Sequence, residues 1–450
     1  MSRILFCLMA LFLSTAGLAK AQDVFQIPVQ RDAADWERAD ELLAEGKADE
    51  AYPLYAALLA RHPGHNALLL GQARAAAALG RPQEAAAIYN TLLQRFPDEP
   101  TIRLKAADAE RALGNTARAE HLAEAPPTFD FDVARLALFE PRRPTPLSSA
   151  DPSKRTIFTG RLRAGLLYDS NANQGPASET FSLGNMVVTV PGAAKRETLA
   201  AYFGANFDLQ HRLDETGPWV AVADARLFVR GNGNSALGEL KAREWQWGRL
   251  GGGLRYAQDD NFFEVRLKGE IFNYEFNNSV VATGPELTYI RAVTPNLHLV
   301  SQAWIDWRNY TQDSTRNGFY GQAGEFVRVF FGERRHSFLV GGKYVGGSAV
   351  NPRFSYNGWE ATTRLGLGLT RKVEVSPHVS FTQEHYRRPA TVLESRNRKD
   401  GRLRAGVDVI YRLSDAWSLE ANYMYVNNRS RSALYRYNQH VIGCGMSWGF

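Results

Sequence analysis

The final stretch of the sequence, residues 440–450, restricts the possible folds more than any other segment. Apolar side chains occupy every second position, and mostly small residues fill the positions between them. The apolar set comprises Ile442, Cys444, Met446, Trp448 and Phe450, and the opposite set comprises Val441, Gly443, Gly445, Ser447 and Gly449. Because successive side chains of a β-strand point to opposite faces, this alternation predicts an amphipathic strand that runs to Phe450.

An apolar strand face that ends in an aromatic residue at the C-terminus resembles the closing strand of a bacterial outer-membrane β-barrel. By this resemblance, Trp448 and Phe450 form a signal that the outer-membrane assembly machinery recognises. The alternation recurs upstream, at residues 199–209, 359–369, 402–411 and 417–425. A soluble β-sandwich would alternate as well, but the polar faces of these segments carry charges and glycines, which suit a wet lumen better than a dry core.

Connection lengths indicate the topology of such a barrel. We count about fourteen candidate strands of roughly ten residues between residues 156 and 450, as a tilted membrane strand requires. Short and long connections alternate, which is typical of barrels with short periplasmic turns and longer external loops. The long ones are residues 170–196, 231–240, 346–357, 387–400 and 428–437. Pro285 and Pro377 fall inside two candidate strands and cannot donate to a β-ladder, so twelve strands is the alternative.

Residues 32–125 have a helical period and repeat every 34 residues. The recurring residues are Gly46, Gly80 and Gly114; Ala39, Ala73 and Ala107; Ala51, Ala85 and Ala119; Tyr55 and Tyr89; and Pro63 and Pro97. This pattern resembles the tetratricopeptide repeat, a unit of ~34 residues with a helix, a turn and a second helix. Three units predict a short α-solenoid in which the glycines end the first helices and the prolines end the second helices.

The first helices of tetratricopeptide repeats line a concave groove that holds peptides. Carried over by position, the resemblance assigns a cargo-binding groove to Trp36, Asp40, Leu70, Arg74, Leu104, Asp108 and Arg111. The alternative for each residue is solvated helix surface or packing between repeats. Trp36 is the strongest candidate, because tryptophan is a common anchor at binding interfaces.

The remaining segments complete an α+β multidomain organisation. Arg3, an apolar run over residues 4–13 and Ala-Lys-Ala before Gln22 predict a cleavable signal peptide at residues 1–21. The repeats then form a periplasmic domain at residues 22–127, a Pro-, Ser- and Arg-rich linker spans residues 128–155, and the barrel spans residues 156–450. A short apolar helix at residues 133–139 of the linker is either part of a hinge or a plug for the lumen. Cys444 becomes the only cysteine of the mature chain, so we expect no internal disulfide.

Charge differs between the two parts of the chain. Residues 22–127 contain 11 Lys and Arg against 16 Asp and Glu, whereas the whole chain has a formal net charge of +6, so the barrel is basic. The basic residues on the expected lumen face include Arg161, Arg163, Arg402 and Arg404. These cations either attract acidic cargo or an anionic polymer, or pair with lumen carboxylates such as Asp208, Asp408 and Glu420. Nucleic acid is not expected as a partner of an exported membrane protein.

No arrangement of residues indicates catalysis, and we expect no enzyme activity, cofactor or metal. His62 and His65 flank a proline in a repeat turn, where solvated histidines are more common than a metal site. His378 and Ser380 share a lumen face and are the pair that an outer-membrane hydrolase would require. The three glycines at residues 251–253 lie in a strand and indicate a bend or close packing, since a phosphate-binding loop would precede a helix.

The domain order and one motif resemble the surface lipoprotein assembly modulator family, the outer-membrane translocons of type XI secretion. In that family a Gly-x-x-Tyr-Asp-Ser-Asn-x-Asn run leads from the first barrel strand into a long first loop. Here the run corresponds to Gly165, Tyr168, Asp169, Ser170, Asn171 and Asn173. The topology places Tyr168 in an aromatic belt at the outer interface, and the residues after it shape the start of the loop through a turn or through cargo contact.

The resemblance implies a translocon of the Gram-negative outer membrane. It would move a specific surface lipoprotein, or a soluble secreted protein such as a haem- or metal-scavenging one, to the cell surface. Its partners would be this cargo, the outer-membrane assembly machinery and outer-membrane lipids, with the barrel acting as a monomer. The alternative is an exopolysaccharide exporter of the solenoid-plus-barrel type, although such exporters usually have more repeats and wider barrels. A diffusion porin would leave the solenoid unexplained.

Overall fold

The computed structural model describes residues 30–96, 100–123, 155–183, 186–189, 194–214, 217–232, 245–258, 260–274, 278–311, 313–391 and 394–450. The chain divides into two compact units, with the boundary between Glu124 and Ala125. The N-terminal unit is helical and the C-terminal unit is a β-barrel. The expected signal peptide, and the expected linker except for its last residue, lie outside the described residues and stay predictions.

Six helices make up the described part of the helical unit. They are α1 (Gln30–Ala44), α2 (Ala48–Arg61), α3 (Asn66–Ala78), α4 (Pro82–Arg95), α5 (Pro100–Ala112) and α6 (Thr116–Ala123). Gly46, Gly80 and Gly114 follow the first helix of each pair and have φ angles of 82°, 71° and 81°. Glycine adopts this left-handed conformation without strain, so the predicted role of these residues as helix terminators is confirmed. Among the described helices, none is both long enough and apolar enough to cross a membrane.

The recurring small and aromatic residues form the core of the helical unit. The alanines of the 34-residue pattern and both of its tyrosines are buried. The ring of Tyr55 lies directly against Gly71, where an added Cβ would come within 2.3 Å of the ring. Gly71 therefore allows α3 to approach α2 closely, and the tyrosine fills the space that a larger residue would occupy.

Fourteen antiparallel strands close into a barrel in the C-terminal unit, as predicted. They are β1 (Thr156–Asp169), β4 (Thr198–Arg212), β5 (Trp219–Asn232), β6 (Trp245–Gln258), β7 (Asn261–Tyr274), β8 (Asn278–Thr294), β9 (Leu297–Tyr310), β10 (Gly318–Phe331), β11 (His336–Ala349), β12 (Tyr356–Gly368), β13 (Val373–Tyr386), β14 (Lys399–Arg412), β15 (Trp417–Ser430) and β16 (Tyr437–Gly449). Two further strands, β2 (Thr180–Leu183) and β3 (Met186–Thr189), form a separate hairpin between β1 and β4. This hairpin lies within residues 170–196, which the sequence pattern predicts to be a long loop.

The twelve-strand alternative was wrong, because both of the prolines that suggested it lie inside barrel strands. Pro285 is in β8 and Pro377 is in β13. Pro285 keeps its register with β7, whereas the register with β9 is interrupted around it. Pro377 keeps its register with β14, whereas the register with β12 is interrupted. A strand accommodates proline in this way because the missing N–H affects the ladder with one neighbour only.

The strands extend further than predicted at the outer end of the barrel, where β1 ends and β16 begins. Because β11 continues to Ala349 and β15 continues to Ser430, the loops predicted at residues 346–357 and 428–437 are shorter than expected. Three of the outer loops contain a short 3-10 helix, at Ser314–Arg316, Pro352–Phe354 and Ala433–Tyr435. These three outer loops are therefore compact, structured segments over the residues that the structure describes.

The barrel places charged side chains inside and apolar side chains outside. Leu267 is 68% exposed, whereas its neighbour Lys268 is 2% exposed. The Lys268 ammonium lies 3.1 Å from the Asp306 carboxylate and 3.2 Å from Glu270. This alternation fits a wall with lipid on one side and a polar lumen on the other, as predicted.

Candidate functional site at the barrel seam and in the repeats

The seam where β1 meets β16 closes the barrel. Residues 161–169 pair with residues 441–449 in antiparallel register, with Arg161 opposite Gly449 and Asp169 opposite Val441. The alternating apolar side chains Ile442, Met446 and Trp448 of β16 are exposed on the outer face, and Phe450 itself is 48% exposed. The predicted alternation of the final strand is therefore confirmed, and the motif and the C-terminal aromatic residues occupy opposite ends of one seam.

Phe450 holds the periplasmic end of the seam. Its N–H donates to the Gly160 carbonyl (3.0 Å), and its own carbonyl accepts from the Gly160 N–H (2.9 Å). The ring covers Gly160, where an added Cβ would come within 2.2 Å of it. The ring centroid lies 4.7 Å from that of Trp448 and 6.0 Å from that of Phe158. Phe450 thus contributes to barrel closure, while its recognition by the assembly machinery stays a prediction.

The motif holds the outer end of the seam. The Ser170 N–H donates to the His440 carbonyl (2.9 Å), and the His440 N–H donates to the Ser170 hydroxyl (2.8 Å). The buried side-chain amide of Asn171 donates to the carbonyls of Gly175 and Asn438, each at 2.9 Å. Its side-chain oxygen accepts from the Gly175 N–H at 2.9 Å. The Asn171 side chain therefore holds the start of the first loop in its turn, and it also links this loop to the last strand.

Asp169 is the centre of a buried polar cluster at the same end. Its carboxylate accepts from the Asn171 N–H (2.9 Å), the Gln439 amide (2.9 Å) and the Arg230 guanidinium (3.1 Å). Asp169 is 2% exposed and Arg230 is 4% exposed. A buried carboxylate requires such partners to offset its lost hydration. The cluster consequently joins the outer ends of β1, β5 and β16.

Tyr168 and Asn173 connect the motif to the far side of the first loop. The Tyr168 hydroxyl donates to Glu197 (2.8 Å). The Asn173 side chain accepts from the Arg196 N–H (2.9 Å) and donates to the Ala194 carbonyl (2.8 Å). These bonds close the base of the loop. The aromatic-belt position of Tyr168 and any cargo contact by the motif stay predictions.

Gly165 allows close approach across the seam. An added Cβ would come within 2.1 Å of the Cys444 carbonyl oxygen and 2.8 Å of the Tyr202 ring. The first of these atoms belongs to the backbone and cannot move aside without disturbing the ladder. Glycine at this motif position is therefore explained by packing between β1 and β16, with the tyrosine ring covering the gap.

Family models identify both units. Residues 161–450 match the model for surface lipoprotein assembly modifiers, and residues 37–100 and 76–138 match models for tetratricopeptide repeats. The chain belongs to the surface lipoprotein assembly modifier family. The resemblance inferred from the motif and the domain order is thus confirmed. This family member has its barrel in the outer membrane and its tetratricopeptide repeats in the periplasm.

Solved structures resemble this family member only weakly. The outer membrane channel DcaP of Acinetobacter baumannii is 9% identical, with a TM-score of 0.38 over 66% of this chain and 97% of that chain. A bacterial polysaccharide outer membrane secretin is 13% identical, with a TM-score of 0.36 over 65% and 98% of the two chains. PcrH, in complex with the chaperone binding region of PopB, is 21% identical over 25% of this chain and 95% of that chain, with a TM-score of 0.20. A search of curated proteins found no match.

The residues predicted to line a peptide groove lie on the first helices, α1, α3 and α5. Trp36 is half-buried, and its ring lies edge-on to His65 with 5.3 Å between centroids. Asp40 is exposed and accepts a hydrogen bond from the Tyr55 hydroxyl. Burial raises the pKa of Tyr55 above its ordinary value, and the bond to Asp40 raises it further. Tyr55 therefore stays protonated at neutral pH and orients the carboxylate.

The other predicted groove residues differ in exposure. Leu70 is 8% exposed, so most of its side chain packs within the helical unit. Arg74 and Leu104 are half-buried. Asp108 and Arg111 are exposed and form an ion pair at 3.0 Å on the surface of α5. The role of these residues in cargo binding stays a prediction.

The basic lumen residues lie beside carboxylates. Arg161 and Arg163 lie 3.6 Å and 3.5 Å from Glu420, one of the partners considered from sequence. Arg404 lies 2.6 Å from Glu360, which the sequence analysis did not consider. Pairing of this kind reduces the positive charge that an anionic polymer would meet in the lumen.

A cluster that no sequence pattern indicates connects two of the outer loops. The Arg398 guanidinium lies 3.4 Å from the ring centroid of Tyr435 and 4.1 Å from that of Tyr386. Its Nε donates to the Asp400 carboxylate at 2.9 Å. Arg398 thereby joins the loop after β13 to the loop after β15. Arginine and tyrosine in loops follow no period, so no sequence pattern could have indicated the contact.

The pair considered for a hydrolase has other partners. The Ser380 hydroxyl accepts from Nε of Arg404 at 3.1 Å, and Nδ1 of His378 lies 3.7 Å from the Asp408 carboxylate. Across the described part of the chain, no group of three or more His, Cys, Asp or Glu side chains is arranged to hold a metal ion.

Proposed function

We propose that this protein is an outer-membrane translocon that moves one specific surface lipoprotein, or a soluble secreted protein, from the periplasm to the cell surface. The match of residues 161–450 to the surface lipoprotein assembly modifier family carries this proposal. The tetratricopeptide repeats support it, because stacked helical hairpins create an extended surface that can hold a segment of another protein.

The mechanism has to work without a nucleotide, since the periplasm supplies none. In our proposal the first helices of the repeats bind an unfolded segment of the cargo and raise its concentration near the barrel. The barrel then provides the route across the membrane. Folding of the cargo outside buries apolar surface and so prevents return. Because Arg398 and its two tyrosines hold the loop after β13 against the loop after β15, these two loops must separate if cargo passes between them.

Deletion of the gene, followed by comparative surface proteomics, tests the proposal. We expect one or a few proteins to stay in the periplasm at unchanged total abundance, with surface polysaccharide intact. Re-expression of the wild-type chain should restore their surface exposure. Loss of capsule or matrix with an intact surface proteome would contradict the translocon proposal and support the alternative, an exopolysaccharide exporter.

A second experiment tests whether the repeats bind the cargo. The double variant Trp36→Ala and Arg74→Glu changes two predicted groove positions and should reduce co-purification of the stranded protein with the full-length chain. The matched control is Gln83→Ala with Thr91→Glu, because both residues are exposed on α4, a second helix. Equal recovery of the cargo by both double variants would show that Trp36 and Arg74 do not contribute to cargo binding.

A further inference from the structure

Basic side chains are concentrated on one part of the outer end of the barrel, where β13 to β16 meet their loops. Lys399, at the start of β14, is half-buried. The exposed members are Arg387 after β13, Arg429 in β15, Arg431 after β15 and Arg436 before β16. Within the described part of the chain, none of these five side chains forms an ion pair with a carboxylate. These five residues are termed the basic rim.

The strand register makes the basic rim continuous from β13 to β15. His385 of β13 lies opposite Lys399 of β14, and Arg387 follows His385 by two positions on the same face. The Arg431 N–H donates to the Lys399 carbonyl at 3.0 Å. The cations of three neighbouring strands therefore lie side by side.

Arg436 joins the rim from the side of β16. Its Nε donates to the Ser430 carbonyl at 2.7 Å, and its Nη2 donates to the Arg431 carbonyl at 3.2 Å. These two bonds hold the guanidinium over the end of β15 without neutralising its charge. A cation that is held in place in this way loses little side-chain freedom when it binds an anion.

The basic rim lies on the lipid-facing side of the wall. In β15, alternate residues run from Leu419, which is 44% exposed, through Tyr423, which is 38% exposed, to the exposed Arg429. Because alternate residues of a strand share a face, the outward face of β15 changes from apolar to aromatic to basic. This is the order of hydrocarbon, interface and head groups in a bilayer.

The length of β15 sets the level of the rim in the membrane. Trp417, at the periplasmic end, is 41% exposed, and its ring centroid lies 6.2 Å from that of Trp448. Arg429 is twelve positions further along the strand, which at ~3.4 Å per residue and a tilt of ~40° gives a rise of about 30 Å. The hydrocarbon core of a bilayer is ~30 Å thick. With Trp417 at the periplasmic interface, Arg429 and Arg431 therefore lie among the head groups of the outer leaflet.

The corresponding positions on other strands are uncharged. Beyond the exposed Trp307 of β9, the outward residues are Asn309 and Thr311. Beside the exposed Trp359 of β12, the outward residue is Asn357. These strands meet the head groups with amides and a hydroxyl, so the outer end of the barrel does not in general require cations. The basic rim therefore indicates an anionic partner that is local to β13–β16.

We propose that the basic rim binds the phosphorylated sugar head group of a lipopolysaccharide molecule in the outer leaflet. Arginine donates pairs of N–H groups to phosphate oxygens, and the rim offers several such donors at head-group level. Neighbouring strands are ~4.8 Å apart, so a rim over four strands spans about 14 Å. This span accommodates a disaccharide with a phosphate at each end. The bound lipid ties the wall beside the seam to the outer leaflet, whichever cargo the barrel moves.

Native mass spectrometry of the full-length protein in detergent tests the site. The probe is hexa-acylated lipid A with two phosphates, in the presence of EDTA so that no divalent cation bridges lipid and protein. The double variant Arg429→Ser and Arg431→Ser should bind it roughly 25-fold more weakly, about fivefold for each lost cation. Arg429→Lys with Arg431→Lys keeps both charges and should bind more tightly than the serine variant. All variants are compared as closed barrels, judged by heat-modifiable gel migration.

The matched control is Arg371→Ser with Lys372→Ser. It removes two exposed cations from the periplasmic turn between β12 and β13, and it should bind lipid A like the wild type. Lipid A without phosphates, and phosphatidylglycerol with its single charge, should both bind the wild type more weakly than the probe does. Equal binding of either lipid, or an equal loss of affinity in the control variant, would overturn the proposal.

The result is separable from that of the proposed function. If the serine variant binds lipid A normally but leaves the cargo in the periplasm, the cations serve a protein partner and the lipid site fails. If its lipid A binding falls as expected, the site stands even where deletion of the gene strands no protein.

Discussion

The helical unit and the barrel differ in the polarity of the side chains that they bury. In the described part of the helical unit the fully buried residues are alanine, leucine, isoleucine and tyrosine, whereas the barrel fully buries the charged residues Lys268 and Asp306 beside apolar ones such as Phe228. Both units nevertheless use the same device for close approach, an aromatic ring laid over a glycine: Tyr55 on Gly71, and Phe450 on Gly160. In both units a glycine lets an aromatic ring pack directly on the backbone. The polarity of the buried side chains depends instead on the surroundings, which are water for the helical unit and lipid around a polar lumen for the barrel.

The largest effect is expected where a glycine faces backbone. Gly165→Ala places a Cβ within 2.1 Å of the Cys444 carbonyl oxygen and should destabilise the barrel by about 3 kcal/mol. Heat-modifiable gel migration and urea unfolding of the full-length protein in lipid vesicles measure this. Gly231→Ala is the control, because an added Cβ there has no atom within 4 Å. Equal stability of the two variants would show that the seam is looser than the glycine–backbone contact implies.

The next prediction compares the cost of introducing an arginine at an exposed position of the barrel with the cost at an exposed position of the helical unit. Leu227 is 44% exposed near the middle of β5, and Leu227→Arg should destabilise the barrel by about 2.5 kcal/mol in vesicles because the charge enters lipid. Ala57→Arg, at an exposed position of α2, should change the stability of the helical unit by less than about 0.5 kcal/mol. Similar values for both substitutions would contradict the assignment of the outer barrel face to lipid.

The helical counterpart of the seam experiment is Gly71→Ala. The added methyl group would overlap the buried Tyr55 ring, so we expect the helical unit to lose about 2 kcal/mol of stability. Thermal melting followed by helical circular dichroism measures the loss. Ala77→Ser, at an exposed position of the same helix, should melt like the wild type. A normal melting temperature for Gly71→Ala would mean that Tyr55 can rotate away without cost.

The smallest effect concerns hydrogen bonds alone. Asn171→Ala removes the side chain that joins the first loop to β16 and should cost about 1 kcal/mol, seen as faster hydrogen exchange at Ser170 and His440. Asn438→Ala is the control, because Asn438 contributes only its backbone carbonyl to that bond. Unchanged exchange in Asn171→Ala would assign the motif a role other than stabilising the seam.

The sequence was sufficient for the fold because both units depend on short periods. Alternation over two residues separates the lipid face from the lumen, and the 34-residue spacing of glycines locates the ends of the first helices. The count of fourteen strands was right, and only the twelve-strand alternative suggested by the two prolines was wrong, since a sequence does not show which neighbouring strand lacks the N–H. The hairpin of β2 and β3 was missed because it lies inside a predicted loop.

The candidate site was less predictable, because it is built by residues distant in sequence. The motif itself was recognised, but its partners Arg230 and Gln439 were not, since each follows the ordinary polar alternation of its strand.

The pairing of Phe450 with Gly160 sets an order of events during biogenesis. The N–H and carbonyl of Phe450 bond to β1 in the closed barrel, and a backbone group that bonds to one strand cannot bond to another at the same time. Any factor that reads the last strand by pairing with this edge must therefore bind before β1 arrives and leave as β1 docks. Pairing of such a factor with the last strand is therefore possible only before the barrel closes.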